Sequence, residues 1–236
     1  MSEGVTLLTT TGARPEAFAL CERWMAAQTF RGPVRWVIVD DGAEPQVVSL
    51  SRDGWFVEVH RRRPYWSPGE NTQGANLRHA LEQIDASERV VIIEDDDWYA
   101  PGWLEIVDAH LRLFELAGEI SAHYYHIGSR RYRDMGNVKH ASLCSTAMRG
   151  AALALFRAIV SRQETFYDIL LYQKFIAHRL FYGRSVIGMK GLPGRAGIGS
   201  GHNRGFVGDV DASGEILRMW VGDKAAEAYA ALRDKR

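Results

Sequence analysis

The first half of the chain carries short apolar runs separated by longer segments in which apolar residues recur every three or four positions. Runs rich in β-branched residues predict strands, and the longer periodic segments predict helices. The predicted strands span 5–9, 34–39, 55–60 and 90–93, and the predicted helices span 15–28, 71–83 and 102–116. Strands that alternate with helices indicate an α/β sandwich with a largely parallel sheet.

The second half is less regular but continues the same mixture. The predicted strands span 122–127, 141–147 and 185–189, and the predicted helices span 151–160, 165–178 and 225–233. Residues 191–205 contain five glycines or prolines between two terminal glycines, which predicts a loop. Because the sequence shows no internal repeat and no clear linker, we expect one domain over residues 1–236.

The apolar strand predicted at 90–93 ends in four consecutive acidic residues, Glu94, Asp95, Asp96 and Asp97. Unpaired carboxylates are costly to bury, so they should emerge at the end of the strand. Four adjacent carboxylates repel one another unless a cation or strong hydrogen-bond donors neutralise them. Hard oxygen ligands of this kind suit Mg²⁺ or Mn²⁺, so the segment predicts a divalent metal site.

Two further polar segments, 9–12 and 40–42, follow the first and second predicted strands. Parallel strands end at the same edge of a sheet, so these segments should converge with the acidic residues. A threonine-rich turn offers hydroxyl and backbone N–H groups, and Asp40 or Asp41 can accept hydrogen bonds from a base or a ribose. The combination suits a metal-bound nucleoside diphosphate, although Asp-Asp-Gly is also an ordinary turn sequence.

Composition narrows the class of protein only slightly. The formal net charge is zero, so no overall field favours nucleic acid or a membrane as partner. The two cysteines form no CxxC pair, which fits a reducing compartment. No signal peptide and no apolar run of membrane-spanning length is evident, so we expect a soluble, cytoplasmic protein without a membrane segment.

Four segments in this order resemble the glycosyltransferases of the GT-A fold, in particular those of family 2. The matching segments are Val5 to Thr10, Trp36 to Gly42, Asn71 to Leu77, and Glu94 to Asp97 with Pro101 to Leu104. The resemblance covers about residues 5–180. It implies a single-domain GT-A (Rossmann-like) sandwich with a mostly parallel central sheet flanked by helices. Residues 1–117 would bind the nucleotide-sugar and residues 118–236 the acceptor.

The resemblance implies transfer of a hexose or pentose from a nucleotide-diphosphate sugar, often UDP-linked, to an acceptor hydroxyl with inversion. In the family's DXD motif the acids hold Mg²⁺ or Mn²⁺, which assigns Asp96 and Asp97 to the metal. Glu94 replaces the family's first aspartate, so which of the four acids ligate the metal stays open. The remaining donor-site residues implied are Thr9, Thr11, Asp40, Asp41, Asn76 and Asp95.

The catalytic base of such enzymes comes from an acidic motif at the start of a later helix. Asp168 occupies the equivalent place, with Tyr167 standing where the family usually has glutamate, and Glu164 is the reserve candidate. A carboxylate there would take the proton from the attacking hydroxyl.

The glycine-rich loop at 191–205 carries three further candidates. Arg195 and Arg204 can clamp phosphate oxygens, and His202 can complete the metal shell, as a late histidine does in some GT-A enzymes. The loop can also act as a lid that orders on donor binding. Alternatively, the segment is an exposed loop whose histidine and arginine side chains are only solvated.

The sequence does not determine which molecule accepts the sugar. Segments 61–66 and 124–133 interleave arginine with aromatic residues, a pattern that suits phosphate contacts and base stacking. They raise the possibility of a DNA-modifying enzyme whose acceptor is a hydroxymethylated base in phage-type DNA. Alternatively, these arginines pair with local acids or with donor phosphates. A nucleotidyltransferase and a catalytically inactive nucleotide-sugar-binding module are the remaining alternatives.

Overall fold

The computed structural model describes residues 4–162, 165–195 and 206–233. In the first half the elements are β1 (Val5–Thr11), α1 (Pro15–Ala26), β2 (Val34–Asp40), β3 (Trp55–Arg61), α2 (Gln73–Glu82), β4 (Val90–Ile92), β5 (Trp98–Tyr99) and α3 (Trp103–Leu111). In the second half they are β6 (Leu116–Ile120), β7 (His123–His126), β8 (Arg131–Asp134), a 3₁₀ turn (Leu143–Ser145), β9 (Thr146–Met148), α4 (Gly150–Val160), α5 (Tyr167–Lys174), β10 (His178–Tyr182), β11 (Val186–Lys190), β12 (Asp209–Val210), α6 (Glu215–Val221) and α7 (Asp223–Arg233).

The large sheet has the strand order β10-β6-β9-β4-β1-β2-β3. The strands β1, β2, β3 and β4 run parallel, and β9 is antiparallel to both of its neighbours. In the register of the central strands, Thr11 lies opposite Asp40, and Leu8 lies opposite Ile92. The carboxyl ends of β1, β2 and β4 therefore meet at one edge of the sheet, which is where α/β proteins bind ligands.

Helices and a second sheet cover the two faces of the large sheet. The apolar cluster on one face includes α1 and α3 and continues into α6, α7 and the small sheet, whose order is β12-β8-β7-β11-β5. The cluster on the other face includes α2, α4 and α5. Because both faces are covered, β4 is buried along its whole length, which explains its unbroken apolar sequence.

The prediction of an α/β sandwich with a mostly parallel central sheet flanked by helices is confirmed. The helix predicted at 102–116 is wrong at its end, because the chain leaves α3 after Leu111 and enters β6 at Leu116. The apolar residues of 113–117 fit both a helical continuation and a buried strand, so their pattern did not separate the two. The strand predicted at 141–147 begins only at Thr146, after a 3₁₀ turn.

In the described part of the chain, no helix combines the length and the apolar character that crossing a membrane requires.

Candidate functional site

The acidic segment leaves β4 at the carboxyl edge of the sheet, and its four carboxylates have different partners. Asp95 accepts a hydrogen bond of 2.7 Å from the Thr11 hydroxyl and one of 2.6 Å from Arg14. Arg14 also lies 3.2 Å from Asp96. Asp97 accepts the Met189 backbone N–H at 2.8 Å, and Asp95, Asp96 and Asp97 are all buried.

Arg14 reaches these acids because of the tight turn between β1 and α1. Ala13 adopts a left-handed backbone conformation, with a φ of 55°. At Gly12 an added Cβ would lie 2.1 Å from an oxygen of Asp41, so the close approach of this turn to the end of β2 requires glycine. Arg14 was not among the residues predicted from the sequence, where its only signal is a basic residue shortly after the threonine-rich turn.

Burial of the acidic segment changes how its groups bind protons. Desolvation, reinforced by the neighbouring acids, raises the pKa of Glu94 and Asp95, and it raises the pKa of Asp97 to about 6. Lys190 lies 3.5 Å from Asp97 and opposes this effect. Although burial disfavours the charged form of Lys190, the nearby Asp97 carboxylate raises its pKa. The edge thus carries concentrated negative charge that protein cations offset in part.

A second cluster forms around Asp41 at the end of β2. Arg195 donates to Asp41 at 2.8 Å and to the Thr72 hydroxyl at 2.5 Å. Arg62 lies 3.2 Å from Asp41 and also donates to the side-chain oxygen of Asn76. The indole of Trp66 stacks on the guanidinium of Arg195, 4.9 Å from ring centre to Cζ. This places an aromatic surface and two cations beside the end of β2.

The turn after β1 joins the two clusters. Arg14 Nε donates to the backbone carbonyl of Arg195 at 2.7 Å, and the Arg195 N–H donates to the carbonyl of Ala13 at 3.1 Å. Arg195 lies in the first part of the glycine-rich loop at 191–205, so these hydrogen bonds hold that part of the loop over the strand ends. We call this network of Thr11, Arg14, Asp41, Arg62, Thr72, Asn76, Asp95, Asp96 and Arg195 the strand-end cleft.

The structure brings most of the predicted donor-site residues together, and Thr9 and Asp40 are the exceptions. Thr9 is fully buried inside β1, and its hydroxyl accepts the indole N–H of Trp36 at 2.9 Å. Asp40 is fully buried as well. Its carboxylate accepts the N–H groups of Gly42 and Gln46 and forms an ion pair of 2.5 Å with Arg61. Thr9 therefore packs beneath the cleft, and Asp40 holds the turn that follows β2.

Asp168 lies in the first turn of α5, where it is half-buried. Burial raises the pKa of its carboxyl. The hydrogen bond of 2.9 Å that the carboxyl accepts from the Ile169 backbone N–H partly opposes this increase in pKa. The backbone of Leu143 also hydrogen-bonds to Asp168. The next residue, Cys144, lies with Glu94 and Asp97 in a group whose polar atoms are within 4.8 Å of one another. The 3₁₀ turn thus links Asp168 to the acidic segment.

Glu164, His202 and Arg204 fall outside the described residues.

The oxygen donors at this edge fit a hard divalent cation in chemical type. Asp95, Asp96 and Asp97 follow one another as buried residues at the strand end, and the half-buried Glu94 has a carboxylate oxygen within 4.8 Å of one of Asp97. Cys144 does not fit such a cation, because burial raises its pKa well above the usual value and keeps the thiol protonated. Arg14 already provides one positive charge to Asp95 and Asp96.

Comparison with solved structures identifies the fold. The chain resembles TarS of S. aureus, a glycosyltransferase, with a TM-score of 0.60 and 14% identity over 79% of this chain and 36% of TarS. It also resembles TarS 1-349 in complex with UDP (TM-score 0.57, 12% identity, 78% of this chain and 60% of that one). For TarS 1-349 in complex with UDP-GlcNAc the TM-score is 0.55 at 12% identity, over 91% and 65% of the two chains.

The prediction of a GT-A fold like that of family 2 glycosyltransferases is confirmed at the level of the fold. The chain spans between 36% and 65% of the length of these structures. No protein-family model and no curated protein sequence matches the chain.

Proposed function

We propose that the protein is a glycosyltransferase that binds a nucleotide-diphosphate sugar in the strand-end cleft and transfers the sugar to an acceptor hydroxyl. One observation carries the proposal. Side chains from three parallel strand ends and from the start of the glycine-rich segment converge in one network, in a fold shared with TarS bound to UDP-GlcNAc. We therefore favour a UDP-linked donor.

The cleft offers groups for each part of such a donor. Asp41 and Asn76 have the acceptor and donor chemistry that a base and a ribose require, and Trp66 offers a stacking surface. Arg14 and Arg195 provide guanidinium groups for the diphosphate. Both arginines are held by carboxylates in the free protein, so donor binding would exchange these contacts for contacts with phosphate oxygens.

Asp96 and Asp97, with Asp95 beside them, are the residues that would hold Mg²⁺ or Mn²⁺. A bound cation supplies Lewis-acid stabilisation of the charge that develops on the leaving diphosphate. His202 remains a predicted further ligand from the glycine-rich segment. Thr11 and Arg14 orient Asp95 by two hydrogen bonds, which fixes the start of the acidic segment.

For the transfer itself we propose direct displacement with inversion. The acceptor oxygen attacks the anomeric carbon, the bond from that carbon to the diphosphate oxygen breaks, and the acceptor proton passes to the Asp168 carboxylate. A base is most effective when its pKa lies near the working pH, and burial raises the pKa of Asp168 towards that range. Glu164 stays the reserve prediction.

We do not extend the proposal to a DNA acceptor. In segment 61–66, Arg61 and Arg62 are engaged with Asp40 and Asp41, which is the local pairing expected if this segment serves the donor site. Modified DNA therefore stays a prediction from the sequence.

The decisive experiment is thermal melting with a panel of nucleoside diphosphates and nucleotide sugars, each with Mn²⁺ and with chelator. A ligand that binds only the folded state raises the melting temperature. We expect a metal-dependent increase with one nucleotide, and an Asp96→Asn variant should lose most of it. Asp53→Asn, at an exposed turn, is the matched control and should keep it.

Product analysis separates the alternatives. A glycosyltransferase releases the nucleoside diphosphate, a nucleotidyltransferase releases pyrophosphate, and an inactive binding module releases neither. Absence of any nucleotide-dependent shift would contradict the proposal as a whole.

A further inference from the structure

A second cavity lies between the small sheet and the C-terminal helices. Its volume is about 270 Å³, and β7, the turn after it, α6 and α7 provide its walls. None of the described residues that line it belongs to the strand-end cleft. Successive side chains of a strand point to opposite faces, so Tyr125 faces this cavity while Tyr124 contacts Lys190 on the other side of β7.

Two guanidinium groups converge in this cavity. Gly214 has a left-handed φ of 76°, and an added Cβ there would lie 3.6 Å from Arg130 Nη2 and 4.0 Å from Arg218 Nη1. Both cations therefore lie within 4.0 Å of one point at the cavity wall. Two positive charges near one point repel each other, and an anion bound between them relieves that repulsion.

In the described part of the chain neither arginine forms an ion pair with a carboxylate, although Glu227 lines the cavity and Asp211 binds the lining residue Tyr125. Arg130 donates to the carbonyl of Ala212, and Arg218 donates to the carbonyl of Ser213 at 3.4 Å. Arg130 also hydrogen-bonds to the side chain of Tyr125. The Asp211 carboxylate lies nearby, and its Oδ2 accepts the Tyr125 hydroxyl at 3.0 Å and the Leu217 N–H at 3.2 Å rather than a guanidinium group.

The other lining residues define what can enter. Arg233 and Glu227 add one charge of each sign, so the arginines of the wall outnumber its acids. Ile127 and Leu217 provide an apolar surface. The volume lies just below the range of about 300–1,000 Å³ typical of small-molecule sites, which indicates a ligand smaller than a nucleotide sugar.

We propose that this cavity binds the phosphate group of a small phosphorylated molecule, with its organic part against Ile127 and Leu217. Guanidinium groups bind phosphate oxygens through paired N–H donors, and each arginine has five such donors. A phosphate monoester carries close to two negative charges and three acceptor oxygens, so it satisfies two converging arginines better than a single carboxylate does.

The test is isothermal titration of the full chain with phenyl phosphate at constant ionic strength, without nucleotide or metal. We expect the Arg130→Gln/Arg218→Gln variant to bind at least about tenfold more weakly than the unmodified protein, because charge-assisted hydrogen bonds are lost. Arg218→Gln alone, at an exposed position, should give a smaller loss in the same direction. Melting curves establish that each variant is folded.

Two controls make the result specific. Arg133→Gln, an exposed arginine on β8 that does not line the cavity, should leave the affinity unchanged. Arg195→Gln, in the strand-end cleft, should also leave it unchanged, which excludes phosphate binding at the donor site.

The proposal is overturned if phenyl phosphate binds the double variant as tightly as the unmodified protein, or if Arg195→Gln alone removes binding. It is equally overturned if no binding occurs at millimolar concentration. Equal affinity for phenyl phosphate and benzoate would overturn the preference for phosphate.

Discussion

The strand-end cleft and the second cavity both contain converging arginines, but their surroundings differ. In the cleft, Arg14 and Arg195 are ion-paired with Asp95 and Asp41 at 2.6 and 2.8 Å. In the cavity, Arg130 bonds to the Ala212 carbonyl and to the Tyr125 side chain, Arg218 bonds to the Ser213 carbonyl, and neither is ion-paired within the described residues. The same residue type therefore acts in the cleft as part of a pre-assembled network and in the cavity as a charge left for a ligand.

This comparison separates two kinds of binding site. A ligand of the cleft must replace existing ion pairs, so its affinity depends on charges that it brings, including a metal ion. A ligand of the cavity relieves a repulsion that the free protein already carries. Removing one charge should therefore destabilise the cleft and should have little effect on the stability of the cavity region.

The largest effect is expected at Asp168, which would tie the reaction to the cleft. Asp168→Asn should retain metal-dependent donor binding and lose transfer by about 10²- to 10⁴-fold, because it removes the proposed proton acceptor. The measurement is nucleoside diphosphate release together with a donor-binding titration. An active Asp168→Asn variant would show that another group, such as Glu164, takes the proton.

Arg14 tests the statement that the cleft is held by ion pairs. Removing one partner of a buried ion pair costs about 3–5 kcal/mol, because the other charge stays buried without compensation. We expect Arg14→Gln to lower the free energy of unfolding by roughly this amount in chelator, and we expect Mn²⁺ to restore part of it. Urea unfolding with and without Mn²⁺ measures both effects.

The matched control for Arg14 is Arg112→Gln. Arg112 is 60% exposed and pairs with Asp108, so its loss should cost less than about 1 kcal/mol and should show no dependence on Mn²⁺. If Arg14→Gln lowered the free energy of unfolding by no more than Arg112→Gln does, the ion pairs of Arg14 would not stabilise the cleft.

The pKa of Asp97 provides a test by pH. Its folded-state pKa is raised to about 6 from an ordinary value of 3.8, so the folded protein binds the proton more tightly than the unfolded chain. Protonation therefore favours folding, and the contribution of Asp97 to stability is lost as the pH rises from about 4 to about 6. In chelator, stability should fall over this interval by about 1–3 kcal/mol more in the unmodified protein than in Asp97→Asn.

Urea unfolding at pH 4.5 and pH 6.5 measures that difference. The Asn side chain can still accept the Met189 N–H, so the comparison concerns charge rather than the hydrogen bond. Equal pH dependence in the two proteins would show that Asp97 does not carry the raised pKa.

The sequence predicted the strand ends well and the network between them poorly. The β-branched apolar run before Glu94 indicated a buried strand ending in acids, and parallel topology then placed Thr11, Asp41 and Asp95 together. Thr9 and Thr11 are two residues apart on β1 and so lie on the same face of the strand. No sequence pattern indicates that the Thr9 hydroxyl binds Trp36 and the Thr11 hydroxyl binds Asp95. Arg14 was not predicted because the geometry of the turn at Ala13 directs it towards the acids. The strand β8 was not predicted because its sequence lacks alternating apolar residues.

The smallest expected effect tests whether the two regions are independent. Arg130→Gln/Arg218→Gln should change the donor affinity of the cleft by less than about twofold, because sites that share no partners contribute additively. Titration of the double variant with the donor nucleotide and Mn²⁺ measures this. A larger loss would mean that the cavity and the cleft are coupled, for example through β7, whose backbone pairs with β11 next to Lys190. In that case a phosphorylated ligand of the cavity would change the affinity for the donor by the same factor by which the donor changes the affinity for that ligand.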